Sequence, residues 1–138
     1  MYYHTLISLY QNKFGFDLSY MRFVWSTQAH YADGRVSDMP AHKWAGCHTR
    51  TGVVYVNLQY RKAFAYYGDG NLARILAHEL AHEVYEKHAS DAFKSWVINK
   101  AQKEGFCTPY LSSYNKTAMP DKYLTELFCE YLAKLVVG

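Results

Sequence analysis

The sequence lacks the features that mark secreted and membrane-spanning proteins. Its three cysteines, Cys47, Cys107 and Cys129, are odd in number and show no CxxC spacing. A disulfide framework is therefore not expected, and a reducing compartment is the simpler inference. The N-terminus has no basic region ahead of an apolar run, and no segment approaches the roughly 18 apolar residues of a membrane span. These absences predict a cytoplasmic protein without membrane association.

The chain also lacks a run of positive charge. It holds 15 Lys and Arg against 12 Asp and Glu, which gives a formal net charge of only +3, and the basic residues are scattered. Nucleic-acid-binding proteins cluster such residues on one face or in one segment, so no nucleic-acid partner is expected. His42, Cys47 and His48 lack the spacing of a zinc finger, so no second metal site is expected at these residues.

Apolar residues, by contrast, are abundant and regularly spaced. Half of the 138 residues are hydrophobic and a fifth are charged, as in a globular chain, and this length fits one domain over residues 1–138. Apolar residues three and four apart predict an N-terminal helix over residues 2–14. Runs of β-forming residues separated by turn signals then predict three strands, at residues 21–27, 42–49 and 52–58.

Three further helices are expected in the second half of the chain, at about residues 71–88, 91–104 and 121–137. Ser90 is the expected N-cap of the second of them. Residues 105–120 are expected to form a long loop, and loops of this length in compact domains are often functional. The order of elements predicts an α+β domain with a small mixed or antiparallel sheet of about three strands.

The segment ILAHELAHEVYEKH, residues 75–88, places ionisable side chains on an otherwise apolar helix. Residues four apart lie on one face of a helix, so His78 and His82 can offer two imidazoles to one metal ion. Glu79 lies about 100° around the helix, beside that site, where it can accept a proton from an activated water. This HExxH arrangement predicts Zn²⁺ as the cofactor and Glu79 as the general base. The alternative is two core histidines that bind backbone carbonyls.

In the motif HELAH, residues 78–82, the sequence resembles the zincin metallopeptidases. The resemblance covers the order of elements from about residue 21 to the C-terminus and only a few residues in sequence. It implies a zincin-like fold, in which a mixed sheet precedes the HExxH helix. It also implies a third zinc ligand from farther along the chain.

The choice of third ligand separates two classes of zincin. In the metzincin pattern, HExxHxxGxxH, His88 occupies the last position, but Tyr85 stands where a glycine would turn the chain back to the metal. If the helix continues instead, His88 projects about 80° from His78 and cannot reach the same ion. His88 is therefore an alternative ligand that requires a turn at Tyr85.

The gluzincin pattern takes a glutamate from a later helix, often with an acidic residue four positions further on. The segment ELFCE offers Glu126 and Glu130 at this spacing. The resemblance implies that Glu126 is the ligand and that Glu130 orients a ligating histidine. Both glutamates lie nearly opposite the main apolar stripe of their helix, a position that also suits a solvated acidic face. Glu86 and Asp91 are further alternatives for the third ligand.

Two other features concern the substrate. The strand at residues 52–58 is either an edge that binds an extended peptide by backbone pairing or an ordinary interior strand. A tyrosine or histidine is expected to stabilise the oxyanion, and the sequence does not rank the three candidates, Tyr110, Tyr114 and His88.

The sequence thus predicts a small gluzincin-like zinc metallopeptidase that hydrolyses a peptide or protein substrate. The metal is expected between His78, His82 and Glu126, with Glu79 as the base. In size and motif the chain is similar to small HExxH domains encoded in bacterial and phage genomes. The alternative is a non-catalytic, zinc-stabilised protein-binding module, in which a fourth protein ligand closes the metal site.

Overall fold

The described part of the chain combines helices and strands. The computed structural model describes residues 2–31, 33–40, 43–62 and 69–138. Its α-helices and strands are, in chain order, α1 Tyr2–Phe14, β1 Arg22–Ser26, β2 Gln28–His30, β3 Val36–Asp38, β4 Ala45–His48, β5 Val53–Asn57, α2 Asp69–Glu83, α3 Asp91–Lys103, α4 Pro109–Ser112 and α5 Pro120–Val137. A 3₁₀ turn, Leu58–Tyr60, follows β5, and a π-helical turn, Val84–His88, follows α2. The predicted α+β class is confirmed.

Three of the strands form one mixed sheet in the order β1-β5-β4. β5 runs parallel to β1 and antiparallel to β4, so the expected small sheet of three strands is confirmed. Because β5 pairs on both sides, it is an interior strand, and the alternative in which it offers an edge to a substrate is wrong. The edges of this sheet, within the described residues, belong to β1 and β4.

β2 and β3 form a separate antiparallel hairpin, which the sequence did not predict. Each strand is only three residues long, and three residues are too few for a strand period to be recognised. Gly34 lies between them with a φ of 90°, a backbone conformation that favours glycine.

α2, the helix that carries the HExxH motif, packs between the sheet and α5. Val54 and Val56 of β5 are fully buried and belong to the same core. The buried apolar side chains of α2 are small or aliphatic, which lets its neighbours approach closely; they are Ala73, Leu76, Ala77, Leu80 and Ala81. The motif therefore lies within the core and not on an exposed helix.

α1 holds α2 and α5 in place through two polar side chains. The hydroxyl of the fully buried Tyr10 donates a hydrogen bond of 2.6 Å to the carbonyl of Ala77. Lys13 Nζ donates to the carbonyls of Leu135 and Val136, at 3.0 and 3.1 Å. These last carbonyls of α5 have no partners within the helix, and a lysine there also complements the helix dipole.

α5 is buried on nearly every side. Its buried residues run almost without interruption through the middle of the helix and include Glu126, Leu127, Phe128, Cys129, Tyr131, Leu132 and Ala133. Seven residues span about two turns of helix, so this run covers all faces. The glutamates of α5 therefore do not form a solvated acidic face, as the apolar stripe alone had suggested.

Two segments in the second half of the chain differ in kind from the sequence prediction. The expected loop at 105–120 contains the one-turn helix α4, which starts at Pro109 and buries Leu111; one turn is too short for helical periodicity to show. The HExxH helix is not α-helical to residue 88. It widens at Val84 into a π-turn, in which the Ala89 N–H donates to the Val84 carbonyl at 2.7 Å.

Candidate metal centre

α2 presents two histidines towards α5. His78 is buried with 6% of its surface exposed, His82 is half-buried, and their ring centroids are 5.1 Å apart. They lie one helical turn apart, so their side chains are neighbours on the same face. The two imidazoles predicted to share a metal ion are therefore adjacent in the structure.

Glu126 of α5 brings a carboxylate to the same point. Its Oε2 lies 3.0 Å from His78 Nε2, and its Oε1 lies 3.4 Å from His82 Nε2. One ligand atom from each of the three residues lies within 4.8 Å of the others. Two ligands that each lie 2.0–2.2 Å from a tetrahedral zinc are separated by roughly 3.4 Å. The observed separations therefore suit a shared metal ion.

His78 Nε2 faces the carboxylate of Glu126 inside the protein. The nitrogen is buried, and Glu126 Oε2 lies 3.0 Å away as an ion-pair partner without hydrogen-bond alignment. A buried imidazole is costly unless its nitrogens have partners, which a carboxylate or a metal ion can provide. Two imidazoles and a carboxylate are also a donor set that zinc accepts, so the three residues could hold such an ion.

Glu130 fixes the orientation of His78. Its Oε2 accepts a hydrogen bond from His78 Nδ1 at 3.2 Å, and its Oε1 accepts one from the Thr108 hydroxyl at 2.9 Å. A proton held at Nδ1 leaves Nε2 as the nitrogen that can bind a metal. The structure thus places Glu130 one turn beyond Glu126, where it supports His78 as the sequence predicts.

The carboxylates around His78 shift the pKa values of the site. Burial by itself lowers the pKa of His78. Its contacts with the Glu126 and Glu130 carboxylates and the charge of Glu79 raise the pKa, and the balance is about 10. Burial raises the pKa of Glu126, but its contacts with the histidines lower it well below the ordinary value. Glu126 is therefore an anion in the metal-free protein, and zinc binding would release a proton from His78.

Glu79 follows His78 directly in α2 and is half-buried. Its charge helps to raise the pKa of His78, and after burial it is the next cause of the raised pKa of Cys47 in β4. The charge of Glu79 also contributes to the raised pKa of Tyr110. The carboxylate is therefore within electrostatic range of both the candidate metal centre and β4.

Tyr110 contacts both His78 and Glu126. Its ring packs edge-on against His78 with centroids 5.2 Å apart, and its hydroxyl donates to Glu126 Oε2 at 3.2 Å. Burial, followed by the charge of Glu126, raises the pKa of Tyr110 well above its ordinary value. The phenol therefore keeps its proton and can donate it in a hydrogen bond. Tyr114 contacts the site only through the Tyr110 hydroxyl, at 2.8 Å.

The alternative third ligands do not converge with the two histidines. His88 Nε2 lies 2.9 Å from the hydroxyl of Tyr20, which in turn donates to the buried Glu83. Glu86 and Asp91 are exposed. Among the described residues, only His78, His82 and Glu126 form a group with ligand spacing. Because it bonds to Tyr20, His88 is also a poor candidate for the residue that stabilises the oxyanion.

The expected absence of a second metal site concerns His42, Cys47 and His48. His42 lies outside the described residues. Cys47 and His48 are consecutive in β4, so their side chains point to opposite faces of the sheet. His48 bonds to the Thr51 hydroxyl through Nδ1 at 2.6 Å. These two residues therefore do not share a site.

Thr108 was not identified from the sequence as part of the site. It lies within the segment expected to be a loop, and its role depends on contact with Glu130, 22 residues away in the chain. A local signal was present, because a threonine followed by proline is typical of an N-cap and first helical residue. That signal predicts the cap but not the contact with the metal centre.

Comparison with known proteins adds no relative. The chain matches none of the protein-family models, curated proteins or solved structures with which it was compared. None of the helices in the described ranges is long and apolar enough to cross a membrane. The zincin resemblance therefore stays an expectation that depends on the HELAH motif and the order of elements in the sequence.

Proposed function

We propose that this protein is a zinc-dependent metallopeptidase with His78, His82 and Glu126 as its metal ligands. The observation that carries the proposal is the convergence of His78, His82 and Glu126, whose ligand atoms all lie within 4.8 Å of one another. Two imidazoles and one carboxylate form a ligand set of catalytic zinc sites, in which a fourth position stays open for water or substrate.

When bound, zinc would supply a Lewis acid and lower the pKa of a water to about 7. Glu79 would accept the proton of the attacking water and return it to the leaving amine, as a general base and then acid. Tyr110 would donate its hydroxyl hydrogen to the oxygen on which negative charge develops. Tyr110 is favoured over Tyr114 and His88 because it alone of the three contacts both His78 and Glu126.

A peptide substrate suits the position of the site. The HExxH helix packs against β4, and β4 is an edge of the mixed sheet in the described structure. An extended peptide can pair with the backbone of such an edge. This edge replaces β5, the strand considered from the sequence, as the surface that aligns a substrate next to Glu79.

The non-catalytic alternative, a zinc-stabilised binding module, requires a fourth protein ligand. The only group with ligand spacing in the described ranges has three members, and His88 bonds to Tyr20 instead. Glu79 would also have no evident role in a closed structural site. These observations favour the enzyme.

The test is zinc content followed by hydrolysis. We expect close to one zinc per chain, and cleavage of casein or a peptide library that stops with chelator and returns with zinc. Zinc binding without hydrolysis would support the binding module. Purified protein that neither contains nor takes up zinc would overturn the proposal.

A further inference from the structure

The hydroxyl of Thr108 joins the candidate metal centre to the segment that covers it. Its oxygen accepts the N–H of Leu111 at 3.2 Å, which caps the N-terminus of α4. Its hydrogen is donated to Glu130 Oε1 at 2.9 Å. A hydroxyl has one donor and two acceptor lone pairs, so both bonds can form at once.

The bond to Glu130 fixes a carboxylate that could otherwise rotate. One Glu130 oxygen accepts from Thr108 and the other accepts from His78 Nδ1. With both oxygens engaged, the carboxylate plane is set, and the His78 ring is held in one orientation. The Thr108 hydroxyl therefore acts on His78 through Glu130 without touching any of the three ligands.

The cap formed by Thr108 also sets the position of Tyr110. Tyr110 is the second residue of α4, and Leu111, which follows it, is fully buried and anchors the turn. A helix of only four residues depends strongly on its cap, because it has few internal hydrogen bonds. The ring that packs on His78 is therefore held by the same hydroxyl that supports Glu130.

We infer that Thr108 is a positioning residue of the metal centre, which orients His78 through Glu130 and docks Tyr110 over the site. The inference rests on the proposed metal site. It assigns to one side chain two tasks that a simple helix cap does not have. A cap alone would stabilise α4 without changing the zinc affinity through Glu130.

The experiment measures zinc affinity by competition with a chelator in three variants. Thr108→Val keeps the shape but removes the hydroxyl, and we expect about tenfold weaker zinc binding, the lower end of outer-shell effects. Thr108→Ser retains the hydroxyl and should restore the affinity. Ser90→Ala is the matched control, because Ser90 caps α3 through the Phe93 N–H at 3.1 Å and bonds to none of the described site residues. Its zinc affinity should equal that of the wild type.

A double-mutant cycle with Glu130→Ala separates the two roles of Thr108. In that background the hydroxyl has no carboxylate to hold, so Thr108→Val should weaken zinc binding much less than it does in the wild-type background, and the remaining loss comes from the cap of α4. An equal loss in both backgrounds would show that Thr108 acts only as a cap and would overturn the inference. Urea unfolding without zinc shows whether each variant still folds.

The outcomes also separate this inference from the proposed function. Zinc bound equally well by wild type and Thr108→Val would overturn the role of Thr108 and leave the metallopeptidase intact. The expected Thr108 effects without peptide hydrolysis would support the inference and remove the catalytic function. A wild-type protein that binds no zinc would overturn both.

Discussion

The three ionisable residues of the HExxH motif have different surroundings. His78 is buried among Glu126, Glu130 and Tyr110, whereas His82 and Glu79 are half-buried beside it. Their loss should therefore have different consequences. Removal of a histidine removes a ligand, and removal of Glu79 leaves the ligand set complete.

Glu79→Gln should keep zinc and lose hydrolysis. The amide fills the same space but cannot accept a proton, and loss of general base catalysis lowers rates by roughly 10²–10⁴-fold. Zinc content and the rate of peptide cleavage are measured on the same preparation. Glu86→Gln, an exposed glutamate of the π-turn, is the control and should be fully active. Undiminished activity of Glu79→Gln would exclude Glu79 as the base.

The third ligand is tested by a pair of variants. Glu126→Ala should weaken zinc binding strongly, because it removes the carboxylate that lies 3.0 and 3.4 Å from the two imidazole nitrogens. His88→Ala should bind zinc normally, because His88 bonds to Tyr20. Zinc affinity is measured for both. Loss in His88→Ala with retention in Glu126→Ala would reverse the assignment.

At the scale of elements, the position of β5 depends on the absence of a side chain in β4. Gly46 pairs with Tyr55, and a Cβ at Gly46 would collide with the Tyr55 ring and hydroxyl. Gly46→Ala should therefore destabilise the protein by about 1–3 kcal/mol, as overpacking does. The measurement is the free energy of unfolding in urea.

The control for Gly46→Ala is the same change in a Tyr55→Val background. In that background the ring is absent, so Gly46→Ala should lower the free energy of unfolding much less. The difference between the two losses measures the coupling between residues 46 and 55. An equal loss of unfolding free energy in both backgrounds would show that Gly46 is not required to make room for the Tyr55 ring.

The elements differ in how far the sequence could predict them. α1 and the two histidines of α2 follow from local periodicity, which needs no knowledge of the fold. α4, β2 and β3 are too short for any period to show. The π-turn at Val84–His88 contains no residue type that is characteristic of such turns, so the sequence did not predict it. Local pattern therefore determines the long elements and leaves the short ones undetermined.

The site shows the same division. His78, Glu79 and His82 share one helical turn, so their relation is visible in the sequence. Glu126 is 48 residues beyond His78, and it comes close to His78 because α5 packs against α2. From the apolar stripe of α5 alone, Glu126 would be placed on the side that faces the solvent. The Thr108 contact depends on two elements at once and could not be predicted from either.

At the scale of the whole molecule, zinc should stabilise the fold. The proposed ligands come from α2 and α5, so a metal ion bound only by the folded protein would cross-link its two central helices. At a zinc concentration 100 times Kd, the stabilisation is about 2.7 kcal/mol. Thermal unfolding with and without zinc measures it. The double variant His78→Ala, His82→Ala should show no zinc-dependent shift, and a shift of equal size would place the metal elsewhere.

The most direct test of the central claim is an anomalous-scattering map of the crystallised protein at the zinc edge. The proposed site predicts one peak about 2.0–2.2 Å from a nitrogen of His78, a nitrogen of His82 and an oxygen of Glu126. No protein atom should occupy the remaining position on the side of Glu79. A peak bound by His88 in place of Glu126, or no peak at these residues in crystals soaked with zinc, would contradict the account.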